Sequence, residues 1–326
     1  MTAPLFSVIV PVFNGAPHLP RCLESLAALT PPADEIIVVD DGSTDDTPRI
    51  LADFASRLPE LRVIRQENRG HSAARNALLD AARGEYLAFV DSDDFVSPDA
   101  YTEALRLAQD EQLDMVLLNA EYHFEGREAD YAIYDNVPAT GVIAGREWLR
   151  DRFRARRLLH MVWLHLYRRE FIEANRLRFV PRVIHEDVIW TLQALLAARR
   201  VRYTGHRAVH YRISHRSFSP EQEQLRLQYV VDSSQVNAYA LAEMSHALGG
   251  DAELRHLLDD HLVDGALSVF HKLAKMPDRR AAGENLLRLR REGFLALLWR
   301  HAADITQRRR ITRHWLRSWI AWTARS

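Results

Sequence analysis

Acidic residues gather in this sequence where short apolar runs end. Asp91-Ser92-Asp93-Asp94 follows the run Tyr86 to Val90, and Asp40-Asp41-Gly42-Ser43-Thr44-Asp45 follows Glu35 to Val39. Side chains alternate along an extended segment, so Asp91 and Asp93 point to one side and Ser92 to the other. Two hard oxygen donors so placed suit Mg²⁺ or Mn²⁺ with positions left open for phosphate oxygens. The plainer reading is a turn with a helix cap, where Asp and Ser are common. Three acids at one strand exit repel each other, however, and if buried they require a cation or several donors. Asp40 ends its strand and is placed to accept hydrogen bonds from a base or ribose. Asp41 or Ser43 is expected to cap the next helix, with Gly42 allowing a left-handed turn. In Asn68-Arg69-Gly70-His71-Ser72-Ala73-Ala74-Arg75-Asn76, Gly70 permits close approach. Arg75 falls on the first turns of a helix, as a ligand contact or as a surface arginine.

These segments need a scaffold that brings strand exits together. Phe6 to Phe13 is a continuous apolar run with β-branched residues, suited to a strand buried on both faces. Further strands are expected at 35–39, 62–65 and 86–90, with helices at 19–29, 47–58 and 73–82. This alternation implies an α/β fold with a mostly parallel, doubly wound sheet, whose ligands bind at the carboxyl ends of the strands. Those ends carry Asn14-Gly15, the Asp40 run, the Asn68 run and the Asp91 run. Ser97-Pro98 reads as a helix start, 114–119 as a strand, and 163–175 and 188–198 as helices. Val201 to Ile213 reads as two short strands around Gly205-His206. From about residue 220 the pattern is helical, with breaks near Gly249-Gly250, Met276-Pro277 and Gly293. The expected division is a catalytic domain at 1–218 and a helical domain at 219–326.

Length and composition are compatible with both parts. The 326 residues are 47% hydrophobic and 27% charged, enough for a sizeable core. A net charge of -1 gives no overall field toward nucleic acid or an anionic membrane. The single cysteine, Cys22, lies in an apolar helical pattern and reads as a buried structural thiol. No signal-peptide pattern and no bilayer-length apolar run occurs, so a cytoplasmic protein is expected.

The combined motifs resemble the family-2 glycosyltransferases of the GT-A fold, of the bacterial cell-surface polysaccharide type. The resemblance rests on S-V-I-V-P-V-F-N at 7–14, E-I-I-V-V-D-D-G-S-T-D-D-T at 35–47, N-R-G-H-S-A-A-R-N at 68–76 and G-E-Y-L-A-F-V-D-S-D-D at 84–94. It covers roughly the first 215 residues and implies a GT-A catalytic domain, a nucleotide-sugar donor of the UDP class, and Mn²⁺ or Mg²⁺. By resemblance Pro11 and Phe13 edge the nucleotide pocket, beside Asn14, Gly42 and Ser92 as donor contacts. Asp40 would contact the base, and Arg75 the base or a phosphate. Asp91 would face the nucleoside or assist the metal, and Asp93 would bind the metal. His185-Glu186-Asp187 resembles the family's Glu-Asp pair at a helix start, which implies Asp187 as catalytic base for an inverting transfer. In Val162 to Arg169, His165 stands where the family often has Lys, which puts a cationic role there in doubt. His210-Tyr211-Arg212 and Ser217-Phe218-Ser219 resemble a segment that closes over the diphosphate. His210 or His215 is a further candidate metal ligand, against the commoner structural role of a histidine beside a strand. The acceptor would be a glycan or lipid-linked hydroxyl, with no nucleic-acid partner.

Two other classes compete. A sugar nucleotidyltransferase would want a Gly-rich basic loop after the first strand, but Asn14-Gly15-Ala16-Pro17 has no cation until Arg21. A non-catalytic nucleotide-sugar-binding protein would not need acids at 91, 93 and 187, which are all present. Nicotinamide binding fails for want of a G-x-G-x-x-G after the first strand. At the far end, Arg308-Arg309-Arg310, Arg313, Arg317 and Arg325 accompany Ile311, Trp315, Trp319 and Trp322 at helical spacing. That pattern suits peripheral membrane contact through 308–322, or a terminal helix whose tryptophans pack on their own domain.

Overall fold

The computed structural model describes residues 5–124, 131–213 and 219–323, without the side chains of 321 and 323. His215, Ser217, Phe218 and Arg325 lie outside the described residues. The chain forms two compact units. The first comprises Met1–Trp148, His160–Pro181 and Trp190–His215, and the second Leu149–Leu159, Arg182–Ile189 and Arg216–Ser326. The chain thus crosses between units within its middle third as well as near residue 216.

The first unit opens with the alternation the sequence implies: β1 (Phe6–Val12), α1 (Leu19–Ala27), β2 (Glu35–Asp40), α2 (Thr47–Arg57), β3 (Leu61–Arg65), α3 (His71–Ala81) and β4 (Tyr86–Phe89). β1 is central, parallel to β2 on one side and β4 on the other, and every one of its residues is buried, as for a strand covered on both faces. β3 lies at the sheet edge, and its burial alternates accordingly. Next come β5 (Phe95–Val96), α4 (Thr102–Asp110), β6 (Met115–His123), β7 (Tyr131–Ala132), α5 (Gly145–Arg154), β8 (His165–Arg168), α6 (Arg169–Ala174), α7 (Asp187–Ala197) and β9 (Val201–Arg212). The sheet runs β3-β2-β1-β4-β8-β6-β9-β5, with β7 beside β6.

Three local expectations change. Residues 163–175 are not one helix. Val162–Leu164 is a 3-10 turn, His165–Arg168 is strand β8, and helix begins only at Arg169. β8 pairs antiparallel with both β4 and β6, so tertiary pairing overrides the local pattern. Ser97 does not cap a helix: its N–H donates to Ala208 O and α4 begins at Thr102. Residues 201–212 form one strand, whose register against β6 shifts around Asn119. An aromatic cluster closes the core beneath β4 and β8. Trp190 stacks on Phe179 at 4.2 Å, meets Phe89 and Tyr167 edge-on, and donates its Nε1–H to Tyr167 Oη at 3.2 Å.

The second unit is helical: α8 (Pro220–Ala247), α9 (Ala252–Lys275), α10 (Arg279–Arg291), α11 (Phe294–His301) and α12 (Ile305–Thr323). Ser219 and Gln222 form a capping box for α8, and Asp251 and Asp278 cap α9 and α10. Asp264 on α9 pairs with Arg310 on α12 at 2.8 Å. The tryptophans of α12 turn toward this unit. Trp315 meets Phe270 edge-on, Trp319 stacks on Trp315, and Trp322 lines an apolar crevice with Leu273 and Leu286. Among the described residues no helix is long and apolar enough to cross a membrane.

Because Trp190 is fully buried and hydrogen-bonded, Trp190→Ala is expected to cost ~3–5 kcal/mol in denaturant unfolding, and Trp190→Phe clearly less. Equal midpoints for the two variants would show that the cluster does not hold this fold together.

Candidate active site

Parallel pairing of β1, β2, β3 and β4 brings their exits to one edge, and hydrogen bonds bind the exits together. Asn14 adopts a left-handed φ of 50°. Its N–H donates to Ser43 Oγ at 2.9 Å, and its Oδ1 accepts from Thr44 N–H at 2.8 Å. Gly15 N–H donates to Thr47 Oγ1 at 2.9 Å. Asn14, a candidate donor contact, is therefore also the bolt between the first two exits. A Cβ on Gly15 would come within 3.4 Å of Ser92 Oγ, so the first exit also lies against the fourth. Pro11 is buried in β1, whereas Phe13 is 51% exposed just beyond it.

Asp40 and Asp41 do something other than cap α2. Asp40 is buried, and its Oδ1 accepts from Ser43 N–H at 2.9 Å. Its Oδ2 has no hydrogen-bond donor among the described residues and lies 3.5 Å from Arg65 Nε. Asp41 accepts from Gln66 Nε2 at 2.7 Å and from the N–H groups of Arg69 and Gly70 at 2.9 and 2.8 Å. It holds the third exit instead of the helix. The reason is Gly42, whose φ of 78° turns the chain there and whose ideal Cβ would sit 2.8 Å from Asn68 N. The residue before α2 is Asp46, which makes no side-chain cap bond. Asp45 Oδ1 accepts from Thr47 N–H.

At the fourth exit the acids divide by environment. Arg75, buried on α3, donates from Nη2 to Asp91 Oδ1 at 2.8 Å, and His71 Nε2 stands 3.8 Å from the same oxygen. Burial acts to raise the Asp91 pKa, but Arg75 and His71 outweigh it, and the carboxyl lies below its usual value. Asp94 is also buried, and here burial wins over the nearby Arg212. Its Oδ1 accepts from Arg212 N–H at 2.8 Å, while its Oδ2 has no donor among the described residues. Burial, then the charge of Asp91, pushes it up to about 9. Arg212 Nε also donates to Asp93 O at 3.0 Å, so β9 clamps the acidic turn from a position 118 residues away. The sequence placed Asp41 as a helix cap and Arg212 in a segment over the diphosphate; the pairings through which both act at the exits are announced by no local pattern.

Other candidates are placed differently. Both ring nitrogens of His210 face protein partners, Ser97 Oγ at 3.0 Å and Glu121 Oε1 at 2.9 Å, and its ring stacks on Phe95. The stack and these two approaches hold the ring against the sheet. His165 is buried in β8, and burial lowers its pKa to about 4, so it is neutral. Cys22 is a buried free thiol raised by burial, with Sγ 3.8 Å from Asp91 O. Asp187 is the first residue of α7 and belongs to the second unit. The segment before it is fixed to α8 by Ile184 N–H to Ser233 Oγ at 2.8 Å and Asn237 Nδ2 to His185 O at 3.3 Å.

Comparison with known proteins agrees with this fold. Residues 7–172 match Glycosyl transferase family 2, about half the chain, and the protein belongs to that family. It is 37% identical over 215 residues to the uncharacterized glycosyltransferase YibD of Escherichia coli K12, covering 65% of this chain and 62% of the length of that relative. The fold is shared with S. aureus TarS 1–349, solved in complex with UDP-GlcNAc: TM-score 0.63, 21% identity, 96% of this chain and 92% of that one. It is also shared with the mannosyltransferase PcManGT of Pyrobaculum calidifontis, solved with GDP-Man and Mn²⁺: TM-score 0.55, 19% identity, 98% of this chain and 88% of that one.

The raised Asp94 predicts a pH dependence in chelator-treated protein. The folded chain keeps a proton between pH 3.8 and about 9 that the unfolded chain releases, so this group's contribution to stability is lost as pH rises through that window. Asp94→Asn keeps the oxygen that accepts from Arg212 and carries no charge. Its melting temperature is expected to equal or exceed that of the wild type at neutral pH and to fall less toward pH 9. Asp94→Ala, which strands the Arg212 N–H, should be destabilised by ~1–3 kcal/mol.

Proposed function

We propose that this protein is an inverting glycosyltransferase that moves a sugar from a nucleotide-sugar of the UDP class to a hydroxyl of a glycan or lipid-linked acceptor in cell-envelope polysaccharide synthesis. The observation that carries it is the acidic turn after β4, with Asp91 held ionised by Arg75 beside Asp93. The exposed ring of Phe13 offers a face to a base, and the buried Asp40 Oδ2, with Arg65 Nε 3.5 Å away, makes no hydrogen bond among the described residues and would accept one from a donor nucleotide. Pro11, Asn14, Gly42 and Ser92 shape the edge where the donor would lie. TarS with UDP-GlcNAc supports the choice of a UDP-sugar, and PcManGT with Mn²⁺ supports a divalent cation.

The acidic turn fits such a cation. Among the described residues no three His, Cys, Asp or Glu side chains form a ready cage. Mn²⁺ or Mg²⁺ at a nucleotide site needs only one or two carboxylates, with phosphate oxygens and water completing the shell. The buried Asp94 Oδ2, with no donor among the described residues, is an oxygen at that turn which a cation would satisfy. Asp93, with Asp91 directly or through water, would hold the ion, which supplies charge stabilisation to the departing diphosphate.

The remaining chemistry falls to this chain's carboxylates. The acceptor oxygen forms a bond to the anomeric carbon as the bond from that carbon to the phosphate oxygen breaks, and the bonding pair leaves with the nucleoside diphosphate. Asp187 takes the acceptor's hydroxyl proton. One displacement inverts the anomeric centre and needs no enzyme nucleophile.

The test separates binding from transfer. Asp187→Asn should retain Mn²⁺-dependent UDP binding by calorimetry and lose ~10²–10⁴-fold in sugar transfer. Asp93→Ala should lose the metal-dependent binding. Wild-type transfer by Asp187→Asn would remove the base assignment. If no nucleotide-sugar raises the melting temperature with Mn²⁺, the donor reading fails.

A further inference from the structure

We propose that α12 docks on an anionic lipid surface, through the face opposite its tryptophans. Ile311 is fully buried, and Trp315, Trp319 and Trp322 turn inward with it. The opposite face holds Ile305, Leu316 and Ile320, respectively 60%, 49% and 59% exposed, together with exposed Arg309, Arg313 and Arg317. At 3.6 residues per turn these six positions fall within an arc of roughly 120°. The three arginines are spaced by four, a single stripe, and the aliphatic side chains lie between and beside them.

Charge singles out this face. Helix α12 contains no Asp or Glu from Ile305 to Thr323. Arg310, at the border of this arc, is neutralised by Asp264, whereas Arg309, Arg313 and Arg317 have no acidic partner among the described residues. The chain's net charge is -1, so the patch is local and not a share of a general excess. At its flank the guanidinium of Arg308 lies 5.8 Å from the ring of Trp299, itself 46% exposed on α11.

The interleaving of charge and aliphatic surface selects the occupant. A protein interface concentrates apolar contact at its centre and charge at its rim. A nucleic-acid backbone would satisfy the arginines and leave Leu316 and Ile320 in water. A lipid interface satisfies both: the aliphatic side chains enter the acyl boundary, and the arginine stems lie along it with guanidinium groups at the phosphates. The surface must be anionic, because three cations with no acidic partner among the described residues draw on the negative surface potential.

Vesicle flotation tests this with the full chain, and its outcome does not depend on the transferase reading. Wild type should float with phosphatidylcholine vesicles containing phosphatidylglycerol, remain behind with pure phosphatidylcholine, and detach as salt is raised. The triple variant Arg309→Glu, Arg313→Glu, Arg317→Glu should lose roughly a hundredfold in partition coefficient, with an unchanged melting temperature because these side chains are exposed. Leu316→Ser with Ile320→Ser should also weaken binding, at an unaltered salt dependence. Equal behaviour of wild type with the two vesicle types, or flotation of the triple variant like wild type, would overturn the proposal. Failure to float together with salt-sensitive self-association that the triple variant lacks would assign the face to a second copy and also overturn it.

Discussion

The candidate site depends on one ion pair. A carboxylate at the end of a buried strand is unfavourable unless its charge is answered, and Arg75 answers Asp91 at 2.8 Å. That pairing places α3 against the exit of β4 and fixes which acid of the turn is ionised. Asp94, only three residues along, is buried next to the charge of Asp91, which the Arg212 backbone bond and guanidinium do not outweigh, and keeps its proton instead. Two carboxyl groups of one motif thus differ in charge through surroundings alone, and Asp93 lies between them with its carbonyl held by Arg212.

The second constraint is the joining of loops. Asn14 binds the second exit and Asp41 binds the third, each through backbone donors that a loop would otherwise lose to water. Gly42 makes this possible because its neighbour's backbone occupies the space of a side chain. The result is a joined rim from which the ring of Phe13 projects, with the carboxylate of Asp40 buried behind it. Residues that look like ligand contacts in sequence, Asn14 and Gly42, therefore carry structural duty whatever else they touch.

Much of the fold was legible because the signals are local and strong. Continuous apolar runs marked the parallel strands, and strand β1 is buried throughout, as for a strand covered on both faces. Glycine and proline marked the helix breaks of the second unit. Legibility failed where pairing partners are distant. Residues 165–168 become a strand only because β4 and β6 flank them. The tryptophans of α12 have the spacing of a membrane-facing stripe, yet they pack inward, because helical periodicity identifies an apolar face without saying what covers it.

The Asp91-Ser92-Asp93-Asp94 turn shows the division most clearly. By itself the sequence determined its position at a strand exit, its acidic character, and its company of Asp40 and Arg75, since these follow from residue type and alternation. Only the tertiary structure decided that Arg75 belongs to Asp91, that Asp94 retains a proton, that Arg212 clamps the turn and that His210 is bound to Ser97 and Glu121. The reason is physical: ionisation and hydrogen-bond partnership are set by burial and by groups scores of residues away, and a one-dimensional pattern holds neither distance nor dielectric.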